Sequence, residues 1–362
     1  MSLISMPNKV TMVLILQLIL VLSNVIESQG WFIDLGPIFG FPPQNPPNPN
    51  PNPSPSPSPR PFRPPGLKVR FYVGLCPNKV DIETIIKGKV KEAFDKDPSI
   101  LPAFLRMQFH DCFVHGCDAS ILINGASSEK KADANLTVRG YELIDALKAI
   151  AEEQCPGIVS CADLIAIVTA EVLRLGGGPA YSVETGRCDG LISNVNDVDL
   201  PSPSITAQES INVFRAKDFT PEEMVVLLGC HTVGISHCVF FQDRLYPGPS
   251  FDKDMDENLR RALIQTCPQG QTSNNVANLD QNPTSSNKVD NSFFDQLMKK
   301  RGLLPVDQAL ISDSSTSGFV STFAQSPDQF NAKLASAMLK LQRLDVLTGP
   351  QGEIRKTCSR FN

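Results

Sequence analysis

The chain has 362 residues, 41% of them hydrophobic and 20% charged, which is enough apolar material to build a buried core in one large or two medium domains. Its net charge is -5 and its pI near 5.5, with Lys and Arg scattered along the sequence, so no basic stripe is available for a nucleic-acid backbone. Nucleic acid is excluded as a partner on that ground.

The first element in chain order is the apolar run VTMVLILQLILVL over residues 10–22, preceded by Lys9 and followed by the small and polar SNVIESQG. It falls short of the roughly 20 residues a spanning helix needs, and Gln17 interrupts it, so a secretory signal over residues 1–29 is predicted, with no membrane attachment after cleavage. Export delivers the ten cysteines to an oxidising compartment, where an even count suggests a disulfide framework. Their spacing does not fix the pairing, and no CxxC…CxxC arrangement points to zinc. Residues 42–65 (PPQNPPNPNPNPSPSPSPRPFRPP) alternate proline with Asn or Ser, which withholds backbone donors and favours extended polyproline II. The segment 30–66 is therefore a stiff extension, read either as a spacer or as an element that contacts extracellular polymers.

From 67 to 362 the pattern is globular and mainly α. VDIETIIKGKVKEAFDKD, GYELIDALKAIAEEQ, SCADLIAIVTAEVLRLGG, TPEEMVVLLGC and DNSFFDQLMKKRG carry apolar residues at helical spacing, several behind a Ser, Thr or Asp suited to cap a helix. Strand-like alternation is confined to AYSVETG, and there is no internal repeat.

The densest chemistry lies in LRMQFHDCFVHGCDAS, residues 105–120. On a helix over 100–113, Arg106 and His110 stand one turn apart on one face, with Asp111 turned about 100° away. A neutral histidine beside an arginine can take a proton from a ligand and stabilise the charge left behind; a satisfied core polar pair is the alternative. Asp111, Asp118 and Ser120 offer side-chain oxygens, with Val114 and Gly116 between them where backbone carbonyls could turn the same way. Such a set suits Ca²⁺, and a capped turn stapled through Cys112 and Cys117 is the alternative.

LRMQFHDCFVHGCDASILI strongly resembles the distal haem motif of the secreted plant (class III) haem peroxidases. The resemblance continues in order through SEKKADANLTVRGYELID, CPGIVSCADLIAI, GRCDG, LPSPS, MVVLLGCHTVGISHC, FQDRLY, VDNSFFDQL, GLLPVDQAL and LTGPQGEIRKTC, covering about 69–362. It implies the family's mainly α fold, with haem b held between a distal and a proximal helical half, two Ca²⁺ ions, and a haem peroxidase domain over 67–362. By this resemblance His110 is the distal base, Arg106 the residue that polarises peroxide, Phe109 a pocket wall and Asn135 the residue that orients His110. Acid–base help of this kind is worth about 10² to 10⁴ in rate. Asn135 also opens the glycosylation sequon NLT, which this interior role predicts to stay unmodified.

His231 in GCHTVG resembles the axial haem ligand, and Asp313 in ALISD is the carboxylate expected to bond it. Asp111, Val114, Gly116, Asp118 and Ser120, with Glu129 through water, match the distal calcium site. Thr232, Asp280 and Asp290 match the proximal one. The aspartate spacing there departs from the commoner pattern, and counting back from Asp290 gives Ser285 and Lys288, with Thr284 as the alternative to Ser285. His115, between the distal ligand positions, is expected to face solvent, and His237 to pack or cap a helix end.

The implied disulfides are Cys76 with Cys155, Cys112 with Cys117, Cys161 with Cys358, and Cys238 with Cys267. Cys188 and Cys230 are additional, forming either a fifth bridge or two thiols. Pro201 matches a residue lining the donor channel, and Phe240 is either part of its wall or a packing aromatic. The one tryptophan is Trp31, outside the catalytic domain, and Tyr181 stands where many relatives carry theirs, so electrons are expected from small donors at the haem edge.

The function implied is a secreted cell-wall enzyme, expected to be a monomer, using H₂O₂ to oxidise phenolic donors in one-electron steps that serve wall cross-linking, lignification or peroxide removal. The alternative is a catalytically idle wall-binding protein attached through the Pro-rich segment. That alternative predicts loss of Arg106, His110 or His231, and all three are present.

Overall fold

The computed structural model describes residues 66–270 and 274–362; the expected signal, Trp31 and the Pro-rich extension up to residue 65 lie outside the described residues. Helices dominate. α1 (Ile82–Lys96) starts where the Asp81 side chain accepts the Thr84 N–H at 3.2 Å, and it buries Ile82, Ile86 and Val90. α2 (Ile100–Cys112) tolerates Pro102 in its first turn and buries Leu101, Phe104, Leu105 and Met107. Arg106 and His110 stay half-buried on its remaining face.

α3 (Tyr141–Gln154) is followed by α4 (Cys161–Leu175), which the Ser160 hydroxyl caps by accepting the Asp163 N–H at 3.1 Å. Every residue of α4 from Cys161 to Leu173 is buried, the signature of a helix enclosed on all sides. α1, α2 and α3 all pack against it, which fixes the frame from which α2 presents its polar face.

α5 (Ala207–Arg215) and α6 (Pro221–Leu228) each begin with a capping box, Thr206 with Glu209 and Thr220 with Glu223. Beyond α6 the chain tightens into a 3₁₀ turn, Gly229–Thr232, that carries His231. Gly229 is required there, because a Cβ would sit 2.7 Å from the rings of both Phe294 and Phe330. α7 (Glu257–Thr266), α8 (Ser292–Met298), α9 (Pro305–Ser312), α10 (Ser317–Gln325) and α11 (Pro327–Gln342) complete the helices. Among the described residues no helix is long and apolar enough to cross a membrane.

Strands are short. β1 (Lys68–Val69) pairs antiparallel with β2 (Glu184–Thr185), all that the AYSVETG alternation yields. A second pair, absent from the sequence expectation, joins β3 (Ile235–His237) to β4 (Val276–Asn278) with Ile235 opposite Asn278. It brings Asp280, two residues past β4, to the side of the turn holding Thr232. One apolar cluster runs through α1–α4, α6, α8, α10 and α11, and a smaller one gathers Phe241, Leu245, Leu263 and Leu303 around the Cys238–Cys267 bridge. The other disulfides pair Cys76 with Cys155, Cys112 with Cys117 and Cys161 with Cys358. Cys188 and Cys230 stand outside these four pairs.

Candidate active site

The i, i+4 spacing on α2 brings Arg106 and His110 together: Arg106 Nε donates to His110 Nε2 at 3.3 Å. The other edge of the imidazole, Nδ1, meets Asn135 Oδ1 at 2.6 Å, and Asn135 Nδ2 donates to the Glu129 carbonyl at 2.8 Å. That second bond decides the tautomer. With the amide nitrogen engaged, the oxygen faces His110, so Nδ1 carries the proton and Nε2 keeps its lone pair. Burial, with the neighbouring Arg106 charge adding to it, pushes the imidazole down to about 4, so it is neutral at any ordinary pH.

The arginine is held by residues that the sequence reading did not single out. Its Nη1 donates to Thr137 Oγ1 and its Nη2 to the Ala134 carbonyl, both at 2.8 Å. Phe109 lies against Phe113 (4.2 Å between centroids) and stacks on Phe214 (5.9 Å), forming an apolar wall beside the pair.

His231 has a different partner. Its Nδ1 meets Asp307 Oδ1 at 2.8 Å, and its Nε2 has no partner among the described residues. The expectation that Asp313 plays this part is corrected. Asp313 is the C-cap residue of α9, and its carboxylate accepts the Ser315 N–H at 2.8 Å. Asp307 sits in the first turn of α9, fully buried, on the same face as Leu310. A helical signal was available: Pro305 marks the start, and positions 307 and 310 share the core face, so an acid at 307 is enclosed. Burial alone would lower the His231 imidazole, but the charge and hydrogen bond of Asp307 leave it above its ordinary value.

Two oxygen-rich sets flank these histidines. Asp111, Asp118, Ser120 and Glu129 are all buried, and neither Ser120 Oγ nor either Glu129 carboxylate oxygen has a hydrogen-bond partner. Burial, then mutual repulsion, holds Asp111 well above the usual carboxylate range, and burial likewise pushes Glu129 up to about 8. Gly116 has φ +96° and a Cβ there would lie 2.4 Å from the Asp345 carbonyl, so the turn needs glycine. The Val114 carbonyl accepts a long 3.4 Å bond from Lys217. In the second set, Thr232 Oγ1 donates to Asp290 Oδ1 (3.2 Å) and lies 3.5 Å from the Lys288 carbonyl, while Asp280 Oδ2 and Ser285 Oγ are buried without partners. Thr284 is exposed and bonds Asn282, which favours Ser285 at this position.

Orphaned buried oxygens with raised carboxyl pKa values are what a hard cation would satisfy, so both sets fit one. Among the described residues no group of three or more His, Cys, Asp or Glu side chains is arranged to hold a metal ion by itself, so hydroxyls and backbone carbonyls would have to complete each shell.

Pro201 lies half-buried in the irregular stretch before α5, and Phe240 is 45% exposed. His115 is exposed, with its Nε2 2.9 Å from Asp197 Oδ2, and His237 lies in β3 with no capping bond. Tyr181 accepts from Gln342 Nε2 at 3.2 Å, and burial pushes the Cys230 thiol up to about 12.

The family model "Peroxidase" matches residues 86–326. The chain is similar to Peroxidase 60 of Arabidopsis thaliana, 44% identical over 302 residues that cover 81% of this chain and 89% of the relative. Peroxidase 57 of the same plant is 44% identical over 299 residues (82% and 93%), and Peroxidase 44 is 45% identical over 300 residues (82% and 93%).

Proposed function

The chain belongs to the peroxidase family and is a class III peroxidase that oxidises donors with H₂O₂ by means of haem, and on that premise we propose which residues do the work. His110 is the base: its unprotonated Nε2 takes a proton from H₂O₂ and returns it to the departing oxygen. Arg106, fixed beside that nitrogen, stabilises the negative charge that builds as the O–O bond parts. Asn135 holds the Nδ1–H tautomer, and Phe109 keeps the pair dry. Haem supplies the redox chemistry when bound, accepting oxidising equivalents from peroxide and passing them on one at a time.

His231 would hold the haem iron through Nε2, and Asp307 would make that nitrogen more electron-donating through the bond to Nδ1. The free Nε2 of a histidine whose other nitrogen is already committed is what makes it fit the iron. The group is proposed to be haem b. Two Ca²⁺ ions are assigned to Asp111, Val114, Gly116, Asp118, Ser120 and Glu129, and to Thr232, Asp280, Ser285, Lys288 and Asp290.

The donors are proposed to be small phenols that reach the site past Pro201, in the balance H₂O₂ + 2 phenol → 2 H₂O + 2 phenoxyl radicals. A monomer of a 67–362 domain, released after cleavage of residues 1–29 and carrying its Pro-rich extension into the cell wall, completes the reading. Wall polymers are the proposed contact of that extension.

The observation that carries the reading is the contrast between the two histidines: one bound to an amide and neutral, the other bound to a carboxylate. The test is the absorption spectrum of haem-loaded protein after one equivalent of H₂O₂ and then guaiacol. A spectral change on peroxide, reversed by two equivalents of phenol, is expected. A ferric spectrum that peroxide leaves unaltered contradicts the assignments.

A further inference from the structure

Resting on that reading of Arg106 and His110 as the reacting pair, we propose that Thr137 is a positioning residue for Arg106, so that the Asn135-Leu136-Thr137 tripeptide clasps both members of the pair. Asn135 holds His110 through Nδ1 at 2.6 Å, and Thr137 Oγ1 accepts from Arg106 Nη1 at 2.8 Å. The Ala134 carbonyl takes Nη2, also at 2.8 Å. The guanidinium is a planar fork, and anchoring both of its outer nitrogens fixes the plane in which Nε points at His110 Nε2. Losing one anchor lets the fork rotate about its long stem, and the cation no longer waits where charge develops.

The same three residues form a glycosylation sequon, and its two polar side chains are both committed. Asn135 is 1% exposed and bonded on both amide atoms, whereas Leu136 faces solvent. A glycan attaches at Nδ2, the atom that donates to the Glu129 carbonyl, so Asn135 would have to leave its buried seat beside His110 to carry one. The clasp therefore excludes modification as it assembles the site. Thr137 itself lies at the exposed rim, so its bond forms at a solvent boundary and its loss is expected to be moderate.

The experiment compares haem-loaded wild type with Thr137→Val, Thr137→Ala, Thr137→Ser and Arg106→Leu, all expressed in a host that does not glycosylate. Two quantities are read: the second-order rate of reaction with H₂O₂, and the affinity of the ferric protein for fluoride, an anion that gains from a cation held beside it. Removing one hydrogen bond to a charged group predicts a loss of about tenfold in both for the Val and Ala variants. Thr137→Ser, which keeps the hydroxyl, is expected within about twofold of wild type on the same scale. Arg106→Leu should lose more than either.

Wild-type values in Thr137→Val and Thr137→Ala beside a damaged Arg106→Leu overturn the clasp and leave the function intact. Equal losses in the Ser and Val variants also overturn it, since the hydroxyl would then be irrelevant. Wild-type values in Arg106→Leu instead overturn the role assigned to Arg106.

Discussion

The two histidines at the centre of the site are the same residue set to opposite purposes by one neighbour each. His110 gives its Nδ1–H to an amide, which carries no charge to favour protonation, and burial next to Arg106 holds its pKa near 4. His231 gives its Nδ1–H to a buried carboxylate, which outweighs the same burial and makes the ring electron-rich. A base must be neutral with an unprotonated Nε2, while a ligand to iron must be a strong donor, and an amide partner on one ring and a carboxylate on the other help to separate the two.

The strongest way to break this contrast is to remove the proposed base. His110→Ala should lower the second-order rate with H₂O₂ by about 10² to 10⁴, read by rapid mixing, while the ferric spectrum is retained. A smaller effect is expected from making the proximal side resemble the distal one. Asp307→Asn removes the carboxylate, so activity should fall about 10- to 100-fold and the reduction potential of the bound haem should rise. Asp313→Asn serves as the control, because its carboxylate bonds only the Ser315 backbone, and both readouts should stay at wild-type values.

Smaller again is the effect of the proposed cations that brace the two sides. Chelation with EGTA should lower the thermal midpoint by about 5 °C, the shift expected when a ligand held near 100 times its Kd is withdrawn. An unchanged midpoint would remove Ca²⁺ from the account.

The distal side was legible because its parts are close in sequence. The i, i+4 relation of Arg106 and His110 follows from helix geometry, and Ser160, Thr220 and Asp81 announce their helices through local caps. The proximal side depends on pairings that sequence spacing does not fix. His231 meets Asp307 across 76 residues, and the choice between Asp307 and Asp313 turns on which face of α9 is buried. The β3–β4 pair is three residues long on each side, too short for alternation to show, yet it places Asp280. Thr137 was hidden for another reason: a sequon threonine reads as a surface residue until its hydroxyl is seen on Arg106.

The most direct test of the contrast is the pH dependence of the H₂O₂ reaction in wild type and in Asn135→Asp, which gives the distal histidine a carboxylate partner like the proximal one. In its proposed role as base His110 can act only while unprotonated, so the wild-type rate should hold steady as pH falls and drop as pH passes through about 4. In Asn135→Asp the added charge raises the His110 pKa, and the drop should begin at higher pH. A wild-type limb centred near the ordinary histidine value, or the same limb in both proteins, would contradict the claim that burial beside Arg106, with an uncharged partner at Nδ1, keeps His110 neutral.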